Sequence, residues 1–227
     1  MRQRSKRYQE SVKMYNGQEK FNINDAVKLI KDFKPAKFDE TVEISIKLNL
    51  KKGVTIRDTI VLPNSFGKEK KILVFAKGEA AEVAKSEGAA FVGDVDLVEK
   101  IKGGWVDFDV AVATPDMMKD VGKLGPILGR RGLMPNPKTG TVTKDIKAAI
   151  AELKKGRVEY RADKTGVLHL GIGKVSFDSD KIIENSKAFY QEVMRKKPQD
   201  QKGEFVRSVH LSATMGPGVE IDYKNIN

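Results

Sequence analysis

Strict alternation of apolar and polar residues marks both ends of this chain. Near the start, the apolar residues occupy every second position at Val42, Ile44, Ile46, Leu48 and Leu50, and a second short run covers Thr59–Leu62. The same period of two returns late in the chain, over Arg157–Arg161, Val167–Leu170 and Phe205–Thr214. A period of two predicts strands that bury one face. Asp163–Gly166 and Met215–Gly218 supply the turns after two of them.

The middle of the chain has a different pattern, in which short continuous apolar runs alternate with helical stretches. The apolar runs are Ile72–Ala76, Ala89–Val92 and Phe108–Ala113. The helical stretches are Glu79–Glu87, Val95–Ile101, Met117–Val121 and a segment that opens at Thr143 or Asp145, reaches Lys155 and ends at Gly156. Buried runs that alternate with helices predict a parallel sheet with right-handed crossovers.

Two further helices are predicted outside this middle segment. Asn24 is a suitable N-cap for a helix through Phe33. Asp178 or Asp180 opens a long helix with a basic C-terminal end. Residues 1–22 are polar and basic, which fits either a solvated tail or an arm that neutralises phosphates.

These patterns predict one α+β domain made from both ends of the chain, with an α/β domain inserted between them. The predicted limits are 1–65 with 157–227 for the first domain and 66–156 for the second. Segments 1–65 and 157–227 carry net charges of +6 and +2, and the middle carries +3. A polyanion is therefore expected to bind the domain made from the two ends.

Composition favours a nucleic-acid partner. The formal net charge is +11, the sequence pI is about 9.6, and the chain has no cysteine for disulfides or thiolate metal sites. No signal peptide, membrane span or basic amphipathic membrane helix is recognisable, so a cytoplasmic protein is expected.

The segment Lys123–Thr141 combines four glycines, three prolines, several apolar residues and the basic residues Lys123, Arg130, Arg131 and Lys138. Glycine and proline exclude a long helix or a central strand here. The apolar residues also exclude a loose linker, so an ordered basic loop with a function is predicted.

Signals for catalysis are weak, and no cofactor or metal is expected. His169 and His210 lie in predicted strands without metal-ligand spacing, and Asp107 and Asp109 lack a third ligand. The glycine-rich segments match neither a Walker A loop nor a dinucleotide fingerprint. An enzyme that uses the α/β domain on a phosphorylated ligand remains an alternative, as does a free translational repressor.

Two sites fit RNA better. Phe38 precedes a strand beside Lys37, where it is either a core residue or a ring that stacks on a base. Thr214–Pro217 ends another strand, where it is either a plain turn or a place of close approach to ribose or phosphate.

Several motifs together resemble the bacterial large-subunit ribosomal protein L1 family over nearly the whole chain. They are Arg7-Tyr8, Lys37–Val42, Asp107–Asp109, Ala113–Asp116, Leu128–Lys138, Asp163–Gly166, Gly173-Lys174 and Ser212–Pro217. The resemblance implies a split, ferredoxin-like α+β composite domain with an inserted α/β three-layer Rossmann-like domain. It also implies an RNA-binding structural protein, not an enzyme, that is a monomer when free.

The resemblance implies three RNA partners: large-subunit rRNA in a mobile stalk, deacylated tRNA leaving the exit site, and the mRNA of the protein's own operon, whose translation it represses. The implied rRNA contacts are Lys37, Phe38, Thr41, Lys164, Lys174, Ser208, Thr214, Met215 and Gly216. The basic loop residues Lys123, Arg130, Arg131 and Lys138 are assigned to tRNA contact or interdomain packing.

The chain departs from the family pattern in two places. The segment between Leu48 and Thr59 is short, and Arg130 stands where the family has proline. The chain passes between the two predicted domains twice, once into the middle segment and once out of it. We therefore predict a hinge at Asn64, Gly67 and Gly156.

Overall fold

The computed structural model describes residues 5–15, 20–33, 36–51, 54–66, 70–198 and 203–225. The α-helices are α1 Lys6–Met14, α2 Ile23–Asp32, α3 Glu79–Ser86, α4 Val95–Lys102, α5 Met118–Gly122, α6 Gly125–Leu128, α7 Ile146–Lys154 and α8 Ser179–Arg195. The strands are β1 Thr41–Leu48, β2 Arg57–Val61, β3 Ile72–Phe75, β4 Phe91–Gly93, β5 Val110–Ala113, β6 Arg157–Arg161, β7 Val167–Lys174, β8 Val206–Ala213 and β9 Val219–Ile221.

The chain is α+β with antiparallel and parallel sheets, and it separates into two compact units. Unit 1 combines Met1–Gly67 with Tyr160–Asn227, and unit 2 is Lys68–Glu159. That the segments 1–65 with 157–227 and 66–156 are independently folding domains stays a prediction.

A four-stranded antiparallel sheet in the order β7-β1-β8-β9 forms the centre of unit 1. The alternation read from the sequence produces its two faces: Val42, Ile44, Ile46 and Leu48 of β1 are buried, whereas the residues between them are exposed or half-buried. Helices α2 and α8 contact strands of this sheet and each other. Their apolar stripes supply buried side chains such as Val27 and Phe189, so this unit buries one face of its sheet.

The N-terminal region differs from the predicted solvated tail, because residues 6–14 form helix α1. The hydroxyl of Ser5 accepts a hydrogen bond from the N–H of Tyr8 and caps this helix, and Ser11 and Tyr15 are buried. The predicted start of the next helix was also wrong by two positions. Asn22 occupies the N-cap of α2, although its side chain does not cap the helix.

Unit 2 contains the predicted parallel sheet, in the order β4-β3-β5. Both of its faces are covered. Leu73 and Phe75 pack with α4, α5 and the start of the glycine-rich segment, whereas Ile72 and Val74 pack with α3 and α7. Asp145 caps α7 by accepting a hydrogen bond from the N–H of Ala148. The sequence predicts Thr143 or Asp145 for this position. Gly156 follows α7 with φ of +90°.

The predicted hinge residues differ in how firmly they are held. Asn64 is fixed within unit 1 because the buried side chain of Asn185 accepts from its N–H at 2.9 Å and donates to its C=O at 2.8 Å. The amide of Asn64 also donates to Glu184. Gly67 lies outside the described residues. These contacts attach Asn64 to unit 1, and the hinge at Asn64, Gly67 and Gly156 stays a prediction.

Candidate nucleic-acid interface

The face of the unit 1 sheet that lies opposite the buried residues is polar. It presents the side chains of Thr41, Glu43, Ser45 and Lys47 from β1, His169 from β7, Ser208, His210 and Ser212 from β8, and Glu220 from β9. We call this surface the open face. Phe66 bounds it at β7, where a Cβ on Gly171 would lie 3.4 Å from the phenyl ring.

At one end of the open face, Thr41 and Thr214 join β1 to the turn after β8. The Thr41 N–H donates to Thr214 Oγ1 at 3.0 Å, and the hydroxyl and the N–H of Thr214 both donate to the Thr41 carbonyl. The sequence suggested that the Thr214 hydroxyl contacts RNA directly. In the structure the hydroxyl makes two hydrogen bonds to the backbone of Thr41, and these form a latch that holds the strand ends together.

Two charged side chains strengthen the same end of the sheet. Lys174 Nζ donates to Thr41 Oγ1 at 2.7 Å. The carboxylate of Glu40 is 5% exposed, and its two oxygens accept from the backbone N–H groups of Ala36 and Met215, both at 2.8 Å. Because one carboxylate binds both segments, it fixes the backbone on each side of the strand ends.

Phe38 and Met215 project from these two segments into solvent. They are 55% and 51% exposed, which is unusual for large apolar side chains. Both line a cavity of about 240 Å³ whose walls also include Phe33, Glu40 and Gly216. Phe38 and Met215, which the resemblance implies as rRNA contacts, therefore line one cavity, and the interpretation of Phe38 as a core residue is wrong.

Gly216 does not owe its presence to local packing. Its φ is not in the left-handed region, and a Cβ there would meet Ala213 at 3.4 Å and Phe33 at 3.6 Å, which are ordinary contacts. A Cβ at this position would therefore face the buried side chains of Ala213 and Phe33, and the backbone of Gly216 lines the same cavity as Met215.

The remaining predicted rRNA contacts are spread more widely. Lys37 is exposed beside Phe38. Ser208 lies on the open face opposite Lys47, six residues from Thr214 and therefore about 20 Å along the strand. Lys164 is exposed in the turn 163–166, where Asp163 accepts hydrogen bonds from Val167 and Thr165 that lower the pKa of its carboxyl group.

Three residues at the middle of the open face were not identified from the sequence as a group. Ser45 pairs with His169 on one neighbouring strand and with His210 on the other. The sequence interpretation treated both histidines as ordinary sheet residues. Their common direction follows from the period of two, but their alignment requires the cross-strand register, which the sequence does not reveal.

The predicted basic loop lies in unit 2 and is ordered as expected. Its apolar residues Leu124 and Leu128 are buried in the core on one side of the parallel sheet. Arg130 and Arg131 are exposed, and Lys123 pairs with Asp120 at 2.9 Å. The side chain of Lys138 lies outside the described part of the structure.

Nothing in the described residues resembles a metal centre. Asp107 binds Lys71 Nζ, and Asp109 accepts from the Lys71 N–H, so both carboxylates have a basic or backbone partner. Groups of three or more residues able to ligate a metal are absent from the described ranges. Among the described helices, none has the length and apolar content that a membrane crossing requires.

Comparisons with known proteins identify the family of this chain. The model of the family described as "Ribosomal protein L1p/L10e family" matches residues 30–217. A protein of Treponema denticola named "Large ribosomal subunit protein uL1" is 59% identical over 219 residues, which is 96% of this chain and 97% of that protein. Proteins of the same name from Borrelia hermsii and Borreliella burgdorferi are 58% and 57% identical over 98% of this chain and 100% and 99% of their own lengths. The chain therefore belongs to the ribosomal protein L1p/L10e family and is a ribosomal protein, not an enzyme.

Proposed function

We propose that this protein is a structural component of the large ribosomal subunit in the cytoplasm and binds rRNA through unit 1. In this proposal the split, ferredoxin-like α+β domain grips a preorganised RNA structure. The protein and the rRNA together form a mobile stalk of the large subunit, and the other domain of the protein is the inserted Rossmann-like α/β domain.

The observation that carries the proposal is the strand end at which Phe38 and Met215 are exposed on either side of one cavity. Glu40 binds the backbone beside both residues, so the two backbone segments that carry Phe38 and Met215 are held before any partner arrives. A preorganised backbone that presents exposed apolar groups suits bases or riboses, because the segments lose little further conformational entropy on binding.

Polar groups around this pair supply the other half of an RNA site. Lys37 and Lys174 provide positive charge, and the Gly216 backbone in the cavity wall can accept close approach of a ribose or phosphate. RNA helices are recognised mainly through shape, 2′-hydroxyls and phosphates, which this mixture of small, hydroxyl and basic groups matches. We therefore assign Lys37, Phe38, Thr41, Lys174, Thr214, Met215 and Gly216 to the main rRNA contact, with Ser208 and Lys164 at its margins.

Two further roles are part of the proposal. Exposed Arg130 and Arg131 in unit 2, with Lys123 and Lys138, would contact deacylated tRNA as it leaves the exit site. The same unit 1 surface would bind a similar structure in the mRNA of the protein's own operon and repress translation. A single surface predicts that the rRNA and the mRNA compete for the protein.

Filter binding to large-subunit rRNA, localised by footprinting, tests the main assignment. Met215→Asp places a negative charge beside the backbone of the RNA, and we expect affinity to fall by about 100-fold or more, as for a like charge in an interface. Met194→Asp is the matched control, because Met194 is 40% exposed on α8 and does not line the Phe38 cavity. Equal affinity of the two variants would contradict the site assignment.

Thr214 requires a graded pair of variants, because its hydroxyl holds the strand ends together. Thr214→Ser keeps both hydrogen bonds and should bind rRNA normally, whereas Thr214→Val removes them and should weaken binding. Combining Thr214→Val with Met215→Asp should abolish rRNA binding while circular dichroism stays unchanged.

A further inference from the structure

The sequence contains two histidines, and both belong to one row across the open face. Ser45 of β1 lies directly between His169 of β7 and His210 of β8, and Glu220 of β9 continues the row. Adjacent strands are about 4.8 Å apart, so the two imidazoles are centred about 10 Å from each other.

One ring nitrogen of His169 contacts the neighbouring strand. Its Nδ1 lies 3.0 Å from Ser45 Oγ, which fixes the orientation of the ring, and the side chain is exposed. His210 is half-buried. Within the described ranges, no second hydrogen-bond partner of His169 and none of His210 is found. Their remaining nitrogens are therefore available to a partner that covers the sheet.

The charged groups that face this row are mixed in sign. Glu43 and Lys47 flank Ser45 on β1, Glu220 pairs with Lys20 at 3.3 Å, and Asp163 lies close enough to His169 to interact with it electrostatically. Lys47 donates to the carbonyl of Thr165. Because nearby acids have partners of their own, except for the exposed Glu43, an anionic backbone can approach the histidines.

We propose that His169 and His210 form a second rRNA contact, in which imidazole N–H groups donate to phosphate or 2′-hydroxyl oxygens. This inference rests on the proposed function. Ser45 is four residues from Thr41, which is about 13 Å along the strand. RNA that binds Phe38 and Met215 and continues along β1 therefore covers the histidine row. The contact fixes the direction of the RNA across the sheet, which the strand end alone leaves undetermined.

Diethyl pyrocarbonate modifies histidine, and its histidine adducts report on this face, since the chain has two histidines and both lie there. The intact protein is treated with and without a footprinted rRNA fragment at ten times its Kd, and peptides are quantified by mass spectrometry. About a tenth of the protein is then free, so both histidines should react about tenfold more slowly in the complex. Unchanged reaction rates in a complex that demonstrably forms would overturn this inference while leaving the proposed function intact.

Substitution gives an independent measurement. His210→Ala should lower rRNA affinity by about threefold to tenfold, as expected for one hydrogen bond, with little effect on the melting temperature. His210→Gln retains an N–H donor and should lose less. Wild-type affinity in both His210→Ala and His169→Ala would also contradict the proposal. Failure of the wild-type protein to bind any rRNA fragment would instead contradict the proposed function.

Discussion

The four-stranded sheet of unit 1 and the three-stranded sheet of unit 2 differ in how many faces they bury. In unit 1, antiparallel strands bury one face under α2 and α8 and leave hydroxyl, imidazole and charged side chains on the other. In unit 2, three parallel strands have separate apolar cores on both faces. A sheet covered on both sides has only its edges, ends and connecting loops for binding, whereas a half-covered sheet offers a broad surface. This difference directs the search for an RNA site to unit 1.

The largest expected effect is on the free energy of unfolding. Substitutions at adjacent residues should differ strongly in cost in β1, but should both be costly in β3. Ile44→Ala should destabilise unit 1 by about 2–5 kcal/mol, whereas Ser45→Ala should change stability by less than about 0.5 kcal/mol. In β3, Leu73→Ala and Val74→Ala should both be costly, because both side chains are fully buried. Urea unfolding followed by circular dichroism reports both units, and the fluorescence of Trp105, the single tryptophan, reports unit 2, so a transition seen by circular dichroism alone belongs to unit 1. If Val74→Ala changes the free energy of unfolding only slightly, the sheet of unit 2 does not have an apolar core on each face.

A smaller effect on stability concerns Asn64, which lies near the end of the first segment of unit 1 and is held there by Asn185. Asn185 is fully buried and binds Asn64 twice and the Ile172 carbonyl once. Asn185→Leu leaves these backbone groups unpaired and should cost about 2–3 kcal/mol. Hydrogen exchange should accelerate at Asn64 before it does in β1. If exchange at Asn64 is unaffected, the anchor lies elsewhere and the hinge can include Asn64.

Glu40 should affect both stability and RNA binding. Glu40→Ala removes the acceptor for two backbone N–H groups and should cost about 1–3 kcal/mol, with a loss of rRNA affinity because Phe38 and Met215 are no longer held. Glu40→Gln keeps one acceptor oxygen and should be intermediate. Calorimetry and filter binding on the same samples test the order. A Glu40→Ala protein with full rRNA affinity would show that this preorganisation is unnecessary.

The smallest effect is a gain in stability. The hydroxyl of Tyr160 is buried without a hydrogen-bond partner among the described residues, and its ring packs edge-on against Phe189 at 5.2 Å. Tyr160→Phe should stabilise the protein by about 1 kcal/mol.

Tyr160 should also make the stability of the protein depend on pH. Burial raises the pKa of the Tyr160 phenol above its usual value near 10. The unfolded chain therefore loses this proton at lower pH than the folded chain does, and stability decreases as pH rises above about 10. Tyr160→Phe should reduce this alkaline loss in urea titrations, and an unchanged slope would contradict the assignment.

Local patterns were sufficient for most elements and for part of the site. The alternation at Val42–Leu50 and the apolar run at Ile72–Ala76 identified strands whose burial matches their patterns. Helix α1 was missed because its segment is polar and basic, and its order comes from a serine cap and the burial of Ser11 and Tyr15. Phe38 was ambiguous because a ring before a strand fits either the core or the surface.

By itself, the sequence determined the succession of elements, the positive charge and the motifs of a ribosomal protein family, because these depend on residue types at short spacing. Only the tertiary structure decided that Glu40 joins the Phe38 and Met215 segments, that the Thr214 hydroxyl serves as a latch, and that Ser45 lies between two histidines. Each of these contacts joins residues that are distant along the chain. Their positions depend on the cross-strand register, which hydrophobic periodicity constrains only to a choice of face.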